Sequence, residues 1–327
     1  MTILVTGGAG YIGSITCEML ADKGKDVLVF DSLYKGHKQA IDPRCEFMQG
    51  DLKDSNLLES VFQEYNITAV IHFAADSLVA ESVDNPRKYF QNNVVNGMNL
   101  LRVMRDFNVK KIIFSSTAAV YGESDNVPLT ESSHTKPTNP YGASKLFFED
   151  ILKTFDTDYE IKNISLRYFN AAGASEKFGE DHNPETHLIP IIMQVAAGKL
   201  DSIKVFGTDY PTADGSCVRD YIHVVDIAQA HILALESLEK TAKSNIYNLG
   251  NGNGYSVFEV IQTAKKITGK NIPFKLAERR EGDPATLIAS SDKIKKELGW
   301  KPKYASLEDI ISSAYKWHLN NPNGYKE

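Results

Sequence analysis

The stretch that decides the fold is Thr2-Ile-Leu-Val-Thr6, followed directly by Gly7-Gly-Ala-Gly10-Tyr-Ile-Gly13. The first five residues form a short, β-branched apolar run, which is typical of a buried parallel strand. The glycines at 7, 10 and 13 make the pattern G-x-x-G-x-x-G, and an amphipathic helical pattern follows them. Glycine permits a tight turn and lets a diphosphate approach backbone N–H groups at the start of a helix. The sequence therefore predicts a strand, a phosphate-binding turn and a helix.

An acidic residue follows at the distance expected for dinucleotide binding. A second strand-like run, Asp26–Phe30, ends in Asp31, about 20 residues beyond the glycines. A carboxylate at that point can accept hydrogen bonds from both ribose hydroxyls, and its charge repels a 2′-phosphate. We therefore predict NAD rather than NADP as the cofactor.

Strand-like and helical segments alternate beyond this unit. Further strands are predicted at 45–49, 69–73, 111–115 and 161–166, with helices at roughly 11–23, 55–65, 87–107 and 141–156. This alternation predicts an α/β fold with a Rossmann-type, doubly wound parallel sheet. After residue 171 the loops lengthen and the alternation weakens. We predict an NAD-binding domain at 1–171 and a smaller mixed α/β substrate-binding domain at 172–327, whose helix at 225–239 packs back on the first domain.

Composition and charge exclude several classes of function. The formal net charge of −6 argues against a nucleic-acid surface. Cys17, Cys45 and Cys217 are widely spaced, which fits a reducing compartment. The sequence shows no signal peptide and no apolar run of membrane-spanning length, so we expect a cytoplasmic protein with no membrane partner. His182 and His187 stand five apart without a recognisable ligand pattern, and we predict no metal.

The segment Tyr141-Gly-Ala-Ser-Lys145 supplies candidate catalytic groups. Residues at i and i+4 share one face of a helix, so the phenol and the ammonium would lie together. A free tyrosine has a pKa near 10, too high for a base at neutral pH. A neighbouring lysine cation favours the phenolate. The pair therefore predicts a tyrosine acid–base with a lowered pKa.

Several longer motifs carry a resemblance to a known family. They are T-G-G-A-G-Y-I-G at 6–13, G-D-L at 50–52, H-F-A-A at 72–75, S-S-T-A-A-V-Y-G at 115–122, Y-G-A-S-K at 141–145, R-Y-F-N at 167–170, the segment 217–223, Y-N-L-G at 247–250 and R-R-E-G-D at 279–283. Together they resemble the extended short-chain dehydrogenase/reductase superfamily and, within it, the UDP-glucose 4-epimerase family. The resemblance covers nearly the whole chain.

The resemblance implies a set of cofactor-binding residues. Gly7, Gly10, Tyr11 and Ile12 would hold the pyrophosphate, Asp31 the adenosine ribose, and Tyr141 and Lys145 the nicotinamide end. Ser77 stands where several family members have a lysine that reaches the cofactor ribose. The remaining implied cofactor-binding residues are Gly13, Ser32, Asp51, Leu52, Phe73, Ala74, Ala75, Ser77, Asn92, Ser115 and Phe169.

It also implies catalytic and substrate-binding residues. Tyr141 would be the acid–base, Lys145 its partner, and Thr117 the hydroxyl that orients the sugar. The nucleotide part of the substrate would meet Asn170, Arg219, Arg280 and Asp283, and the substrate set is completed by Leu188, Phe206 and Leu287. Leu287 falls where residue size is thought to control access of N-acetylated sugars.

The activity that the resemblance implies is reversible C4 epimerisation of UDP-glucose and UDP-galactose through a 4-keto intermediate, with tightly bound NAD. Leu287 leaves epimerisation of UDP-N-acetylhexosamines open. A nucleotide-sugar dehydratase would be expected to carry an Asp-Glu pair where this chain has Thr117-Ala-Ala119. A non-catalytic NAD sensor would often have lost Tyr141 or Lys145. The family also builds homodimers from the helix at 87–107 and the helix that carries Phe147 and Phe148, so we expect a homodimer.

Overall fold

A seven-stranded parallel sheet forms the centre of the molecule, which confirms the predicted α/β fold. The computed structural model describes residues 1–124, 126–280 and 283–325. The strands are β1 (Thr2–Thr6), β2 (Asp26–Asp31), β3 (Glu46–Gln49), β4 (Ile67–His72), β5 (Lys111–Thr117), β6 (Lys162–Tyr168), β7 (Asn170–Ala172), β8 (Ile203–Phe206), β9 (Val218–His223), β10 (Asn245–Leu249), β11 (Gly254–Ser256), β12 (Phe274–Ala277) and β13 (Thr286–Leu287). Their order in the large sheet is β10-β6-β5-β4-β1-β2-β3.

The helices match the predicted pattern with one exception. They are α1 (Tyr11–Asp22), α2 (Ser55–Glu64), α3 (Val79–Asp84), α4 (Pro86–Phe90), α5 (Gly97–Asp106), α6 (Pro140–Tyr159), α7 (Leu188–Ala196), α8 (Val224–Thr241), α9 (Val257–Thr268), α10 (Asp292–Leu298) and α11 (Leu307–Asn320). Short 3₁₀ turns occupy Lys38–Ala40 and Ala118–Val120.

The exception is the helix predicted at 87–107. Instead of one α-helix, the segment consists of α4, a π-helical stretch at Gln91–Asn96, and α5. A hydrophobic period reports which face of a segment is buried, and it does not distinguish a turn closed by an i→i+5 hydrogen bond from an α-helical turn. The π-helical stretch carries Asn92 and Asn93, whose amides both bond Asp76.

Both faces of the large sheet are covered by helices. Alternate residues of β1 point to opposite faces: Ile3 and Val5 pack with α1 and α8, whereas Leu4 packs with α2, α5 and α6. Burying each side chain of this kind contributes about 1.5–3 kcal/mol. The near-continuous apolar strands of the sequence are therefore explained by burial on two sides.

The end of the sheet beside β6 comes from late in the chain. β10 pairs in parallel with β6, from Asn245 opposite Ile164 to Leu249 opposite Tyr168. The helix before it, α8, packs on α1 and on the same core, as the sequence predicted for 225–239. The strand itself was not among the predicted strands.

The smaller elements of the second half build a separate core. A four-stranded sheet joins β11, β9 and β13, with β7 paired to β9, and a two-stranded sheet joins β12 and β8. Helices α7, α9 and α11 pack together over a cluster that includes Ile192, Ile261 and Ile310. Within the described ranges, no helix has the length and apolar character required to cross a membrane.

Candidate active site

The glycine turn after β1 allows close approach between two strand ends. Gly7 has φ +74°, in the region that glycine adopts readily, and a Cβ built on it would lie 2.5 Å from the backbone nitrogen of Ala74. Ala74 follows β4, and its N–H donates to the carbonyl oxygen of Thr6 at 3.1 Å. The turn after β1 and the turn after β4 are thus in contact at the carboxyl edge of the sheet, where ligands bind in such folds.

The start of α1 meets the requirements of a diphosphate. Gly10 precedes the helix in extended conformation, and among the described residues no side chain caps the first N–H groups. Helix N-termini present free N–H donors and a positive dipole end, which favour phosphate oxygens. The loop and helix start therefore fit the pyrophosphate of NAD, with Gly7, Gly10, Tyr11, Ile12 and Gly13 around it.

Asp31 is positioned by its own backbone neighbours. Its carboxylate accepts N–H groups from Ala9 at 3.0 Å and from Leu33 at 2.8 Å. Burial raises the pKa of Asp31, and these hydrogen bonds oppose that rise. Each carboxylate oxygen keeps a second acceptor site, so the side chain can still receive ribose hydroxyls. Ser32, the next residue, is partly exposed beside it.

Other predicted cofactor residues lie at the ends of the neighbouring strands. Asp51 and the buried Leu52 follow β3, while Phe73, Ala74 and Ala75 follow β4. The side chain of Asp51 is engaged by the Lys53 amine at 3.2 Å. Ser77 is exposed, and Phe169 is buried after β6.

The predicted catalytic residues come together between β5 and α6. Tyr141 and Lys145 lie in the first turns of α6 and are both buried. Thr117 ends β5, and its side chain lies beside Tyr141 and accepts the N–H of Ala119 at 3.1 Å. The Lys145 amine donates to the carbonyl oxygen of Ser115 at 2.9 Å and lies 4.9 Å from the centre of the Phe114 ring.

The pKa of Tyr141 differs from the one predicted from the sequence. Burial raises the pKa of Tyr141 above its ordinary value, and the neighbouring Thr117 side chain opposes that rise only in part. Burial also lowers the pKa of Lys145 to about 7, against the opposing charges of Glu149 and Asp76. The prediction of a lowered tyrosine pKa is therefore wrong for the protein alone, because desolvation of the phenolate outweighs the favourable interactions.

A polar network behind α6 was missed at the sequence level. The Asn93 amide donates to Ser144 Oγ at 3.0 Å and to the carbonyl oxygen of Asp76, and Ser144 Oγ donates to the carbonyl oxygen of Tyr141 at 2.7 Å. Asn92 donates to the Asp76 carboxylate at 3.0 Å. These contacts fix the first turn of α6, and they join segments too distant in sequence for a local motif to reveal.

Lys88 was also missed. Its amine lies 3.4 Å from the carboxylate of Asp76 and 2.7 Å from that of Glu81. Asp76 immediately precedes Ser77, the position at which family members carry a lysine. Lys88 thus brings a cation close to this segment from α4.

The predicted substrate residues lie on several elements of the second half of the chain. Arg219 on β9 makes an ion pair with Asp283, and Leu287 on β13 is the β-partner of Arg219. The Arg280 guanidinium stacks over the Phe206 ring at 4.1 Å. Asn170 starts β7 and pairs with Tyr221 of β9, and Leu188 begins α7. Glu281 and Gly282 of the R-R-E-G-D motif lie outside the described residues.

Two histidines have structural partners. His72 is buried in β4, with Nδ1 2.7 Å from Thr6 Oγ1. His223 Nδ1 accepts the N–H of Val225 at 3.1 Å at the start of α8, and Nε2 lies 2.9 Å from Ser313 Oγ.

His182 and His187 have carboxylate partners that were not recognised in the sequence. Both imidazoles face the carboxylates of Glu180 and Glu185. Burial lowers the pKa of each histidine, but the two carboxylates outweigh it and raise the pKa of His182 to about 9 and that of His187 to about 10. The pattern E-x-H-x-x-E-x-H was present in the sequence, but only the folded loop turns all four side chains inward.

Comparisons with known proteins agree with this geometry. The model of the NAD dependent epimerase/dehydratase family matches residues 3–250. A UDP-glucose 4-epimerase of Lacticaseibacillus casei is 51% identical over 99% of both chains. A crystal structure of a UDP-glucose 4-epimerase superposes with a TM-score of 0.98 at 49% identity over 100% of both chains. The enzyme of Bifidobacterium longum, solved with NAD⁺ and UDP, gives a TM-score of 0.93 at 43% identity over 99% of this chain and 100% of that one. The chain therefore belongs to the NAD-dependent epimerase/dehydratase family and, within it, to the UDP-glucose 4-epimerases.

Proposed function

We propose that this protein interconverts UDP-glucose and UDP-galactose by inverting carbon 4 of the hexose, with NAD as its cofactor. The observation that carries the proposal is the buried group of Tyr141, Thr117 and Lys145 between β5 and α6. It lies on the same parallel sheet as the glycine turn and Asp31, which fit NAD.

The chemistry must pass through a ketone, because carbon 4 of a hexose carries no acidic proton. When bound, NAD accepts the carbon-4 hydride and returns it, and its oxidised nicotinamide carries a positive charge. Tyr141 takes the proton of the 4-hydroxyl and returns it after the sugar has turned over. Thr117, which lies beside Tyr141, offers the sugar a second hydrogen-bonding group. Lys145 supplies a cation that favours the phenolate.

Such a mechanism needs a firm grip on UDP and a loose grip on the hexose. Guanidinium groups match phosphate oxygens as paired donors, so we assign Arg219 and Arg280 to the diphosphate. The Arg219–Asp283 ion pair holds one of these guanidiniums in place. We assign Asn170, Leu188, Phe206 and Leu287 to the walls around the nucleotide sugar.

The residues after Thr117 disfavour a dehydratase. Elimination of water across carbons 5 and 6 requires an acid and a base near the sugar, whereas this chain has Ala118 and Ala119 there, with Ala118 buried. We therefore favour epimerisation without elimination.

The test is incubation of the purified protein with UDP-galactose deuterated at carbon 4, without added cofactor. UDP-glucose should form with the deuterium retained, and NAD should be released when the protein is denatured. Epimerised product that had exchanged its label for solvent hydrogen would contradict the hydride mechanism. A parallel incubation with UDP-N-acetylgalactosamine measures the contribution of the N-acetylated sugars.

We further propose that a second copy of the chain pairs with the first through an apolar surface formed by Val95, Met98 and Phe147. These three side chains are 47%, 44% and 58% exposed, and the Phe90 ring meets Phe147 edge-on at 5.9 Å. The adjacent Phe148 is fully buried in the core. Exposed apolar side chains that cluster in this way are typical of protein interfaces.

We also propose that residues 1–171 form the NAD-binding domain and 172–327 the UDP-sugar-binding domain, with α8 and β10 of the second segment packed on the first. We propose a cytoplasmic role in galactose metabolism. The three cysteines Cys17, Cys45 and Cys217 are free thiols, which supports a reducing compartment.

A further inference from the structure

Four potential metal ligands converge in the loop between β7 and α7. They are Glu180, His182, Glu185 and His187, which we call the Glu180–His187 cluster. One oxygen or nitrogen atom from each lies within 4.8 Å of the corresponding atom of every other. The cluster lies against the start of α1, where the Tyr11 ring meets His182 edge-on at 6.1 Å.

The distances inside the cluster are close to those of a coordination shell. Glu180 Oε1 lies 2.8 Å from His187 Nδ1 and 3.2 Å from His182 Nδ1. Glu185 places its oxygens 3.1 Å from His187 Nδ1 and 3.6 Å from His182 Nδ1. A tetrahedron with metal–ligand bonds of about 2.0–2.1 Å has edges of about 3.3–3.4 Å. The four measured distances, from 2.8 to 3.6 Å, lie on both sides of that value, and the two that involve Glu185 come from its two different oxygens.

An ion-pair network leaves one nitrogen of the cluster without a hydrogen bond. Both Nδ1 atoms approach the same oxygen of Glu180, which can accept two hydrogen bonds. Within the described part of the chain, His182 Nδ1 is buried and has no partner in hydrogen-bonding geometry, although carboxylate oxygens surround it. A cation at the centre of the cluster would bond this nitrogen and both carboxylates, which already point towards it.

Charge and ligand type select the ion. Zinc binds neutral imidazole, so the protons that the carboxylates stabilise on His182 and His187 must be released when the ion binds. Two carboxylates and two neutral imidazoles then carry a net charge of −2, which a divalent cation neutralises. Imidazole nitrogen combined with carboxylate oxygen suits zinc, whereas magnesium and calcium prefer oxygen ligands alone. Four protein ligands complete a tetrahedron and leave no open position, which is the arrangement of a structural zinc site.

We propose that the Glu180–His187 cluster binds one zinc ion, which fixes the path of the loop before α7. A separate contact ties the segment after β7 to the start of α1, because the Tyr11 hydroxyl donates to the carbonyl oxygen of Gly173 at 2.6 Å. His187 directly precedes α7, so the ion would also fix the point at which that helix begins. The titratable groups that face the cluster from other segments are Tyr11 and His318, with Asp181 and Lys199 close by.

The first experiment measures zinc affinity of the full-length protein after dialysis against a chelator. Competition with a chromophoric chelator should give one zinc ion per chain for the unmodified protein. His182→Gln combined with His187→Gln should weaken binding on the order of 100-fold or more, since loss of even outer-shell partners costs 10–100-fold. His134→Gln, at an exposed loop histidine, is the matched control and should bind as the unmodified protein does.

A second experiment identifies the ligands independently of zinc affinity. Cobalt(II) bound in the cluster should show the visible spectrum of a tetrahedral nitrogen and oxygen site, without a thiolate charge-transfer band from Cys17 or Cys45. A thiolate band would place the ion elsewhere and overturn the proposal.

Thermal unfolding provides the readout if the double variant folds poorly. Zinc should raise the unfolding temperature of the unmodified protein and leave that of Glu185→Gln nearly unchanged, because binding to the folded state alone stabilises it. If the unmodified protein gains no stability and binds no zinc at micromolar concentration, the cluster is an ion-pair network and the proposal is wrong. Neither result depends on epimerase activity.

Discussion

Tyr141 is the residue at which loss of one oxygen atom has the largest expected effect on kcat. Tyr141→Phe keeps the ring that fills the site and removes the group that moves the proton. We expect kcat to fall by about 10²–10⁴-fold, the usual contribution of general acid–base catalysis, with UDP affinity nearly unchanged. Tyr159→Phe, at the exposed end of the same helix, is the control. Near-normal turnover of Tyr141→Phe would remove the acid–base assignment.

Lys145 is expected to set the pH dependence of the reaction. Its pKa of about 7 means that the amine loses its charge as the pH rises through neutrality, so a reaction that needs the cation should show a fall in kcat/KM near pH 7. Lys145→Met has no amine to titrate, so this limb should be absent and kcat/KM should be lower below pH 7 than in the unmodified protein. Measured pH–rate profiles of the two proteins that coincide would contradict this role.

Arg279 and Arg280 allow a matched comparison of two adjacent guanidiniums. Each stacks on an aromatic ring, Arg279 over Tyr210 at 4.0 Å and Arg280 over Phe206 at 4.1 Å. Arg279 is also held by the carboxylate of Asp209. Arg280→Met should raise KM by about 10–100-fold, as expected for loss of 1.5–3 kcal/mol from a charged hydrogen bond. Arg279→Met should leave KM within about twofold. Equal effects of the two changes would refute the assignment of Arg280 to the diphosphate.

At the scale of the element, α6 depends on the cap that precedes it. Asn139 Oδ1 accepts the N–H of Gly142 at 2.9 Å, one residue beyond Tyr141. Asn139→Ala should cost about 1 kcal/mol of unfolding free energy, measured in urea, and should also lower kcat. Asp54→Ala removes the equivalent cap of α2, which carries no predicted site residue, so it should cost similar stability with kcat unchanged. An effect of both variants on kcat would mean that the cap acts through global stability alone.

The elements that sequence predicts well are those with local signals. The glycine turn, Asp31 and the Tyr141–Lys145 spacing each require only neighbouring residues and a helical or strand period. Three other features depend on contacts between distant segments or on the path of a loop, so the local sequence does not reveal them. They are strand β10 of the large sheet, the π-helical stretch at Gln91–Asn96 and the Glu180–His187 cluster. The rise in the pKa of Tyr141 was missed for a related reason, since desolvation is set by everything packed around the phenol.

At the scale of the whole molecule, the apolar surface of Val95, Met98 and Phe147 predicts the state of assembly. Phe147→Glu places a charge in the centre of the proposed interface, so the variant should have the mass of a monomer by light scattering. Leu319→Glu, at a similarly exposed leucine on α11, should keep the mass of the unmodified protein. A monomeric mass for the unmodified protein would refute the proposed pairing.

The return of β10 to the edge of β6 has a consequence for how the chain matures on the ribosome. Until residues 224–249 have emerged, β6 presents an unpaired edge, and the apolar residues that α8 covers are exposed. The large sheet is therefore completed only after β10 has been synthesised. A fragment that ends at residue 171 lacks α8 and β10, so we expect it to be unstable alone, and a nascent polypeptide stalled before Val224 is the species that chaperones would be expected to hold.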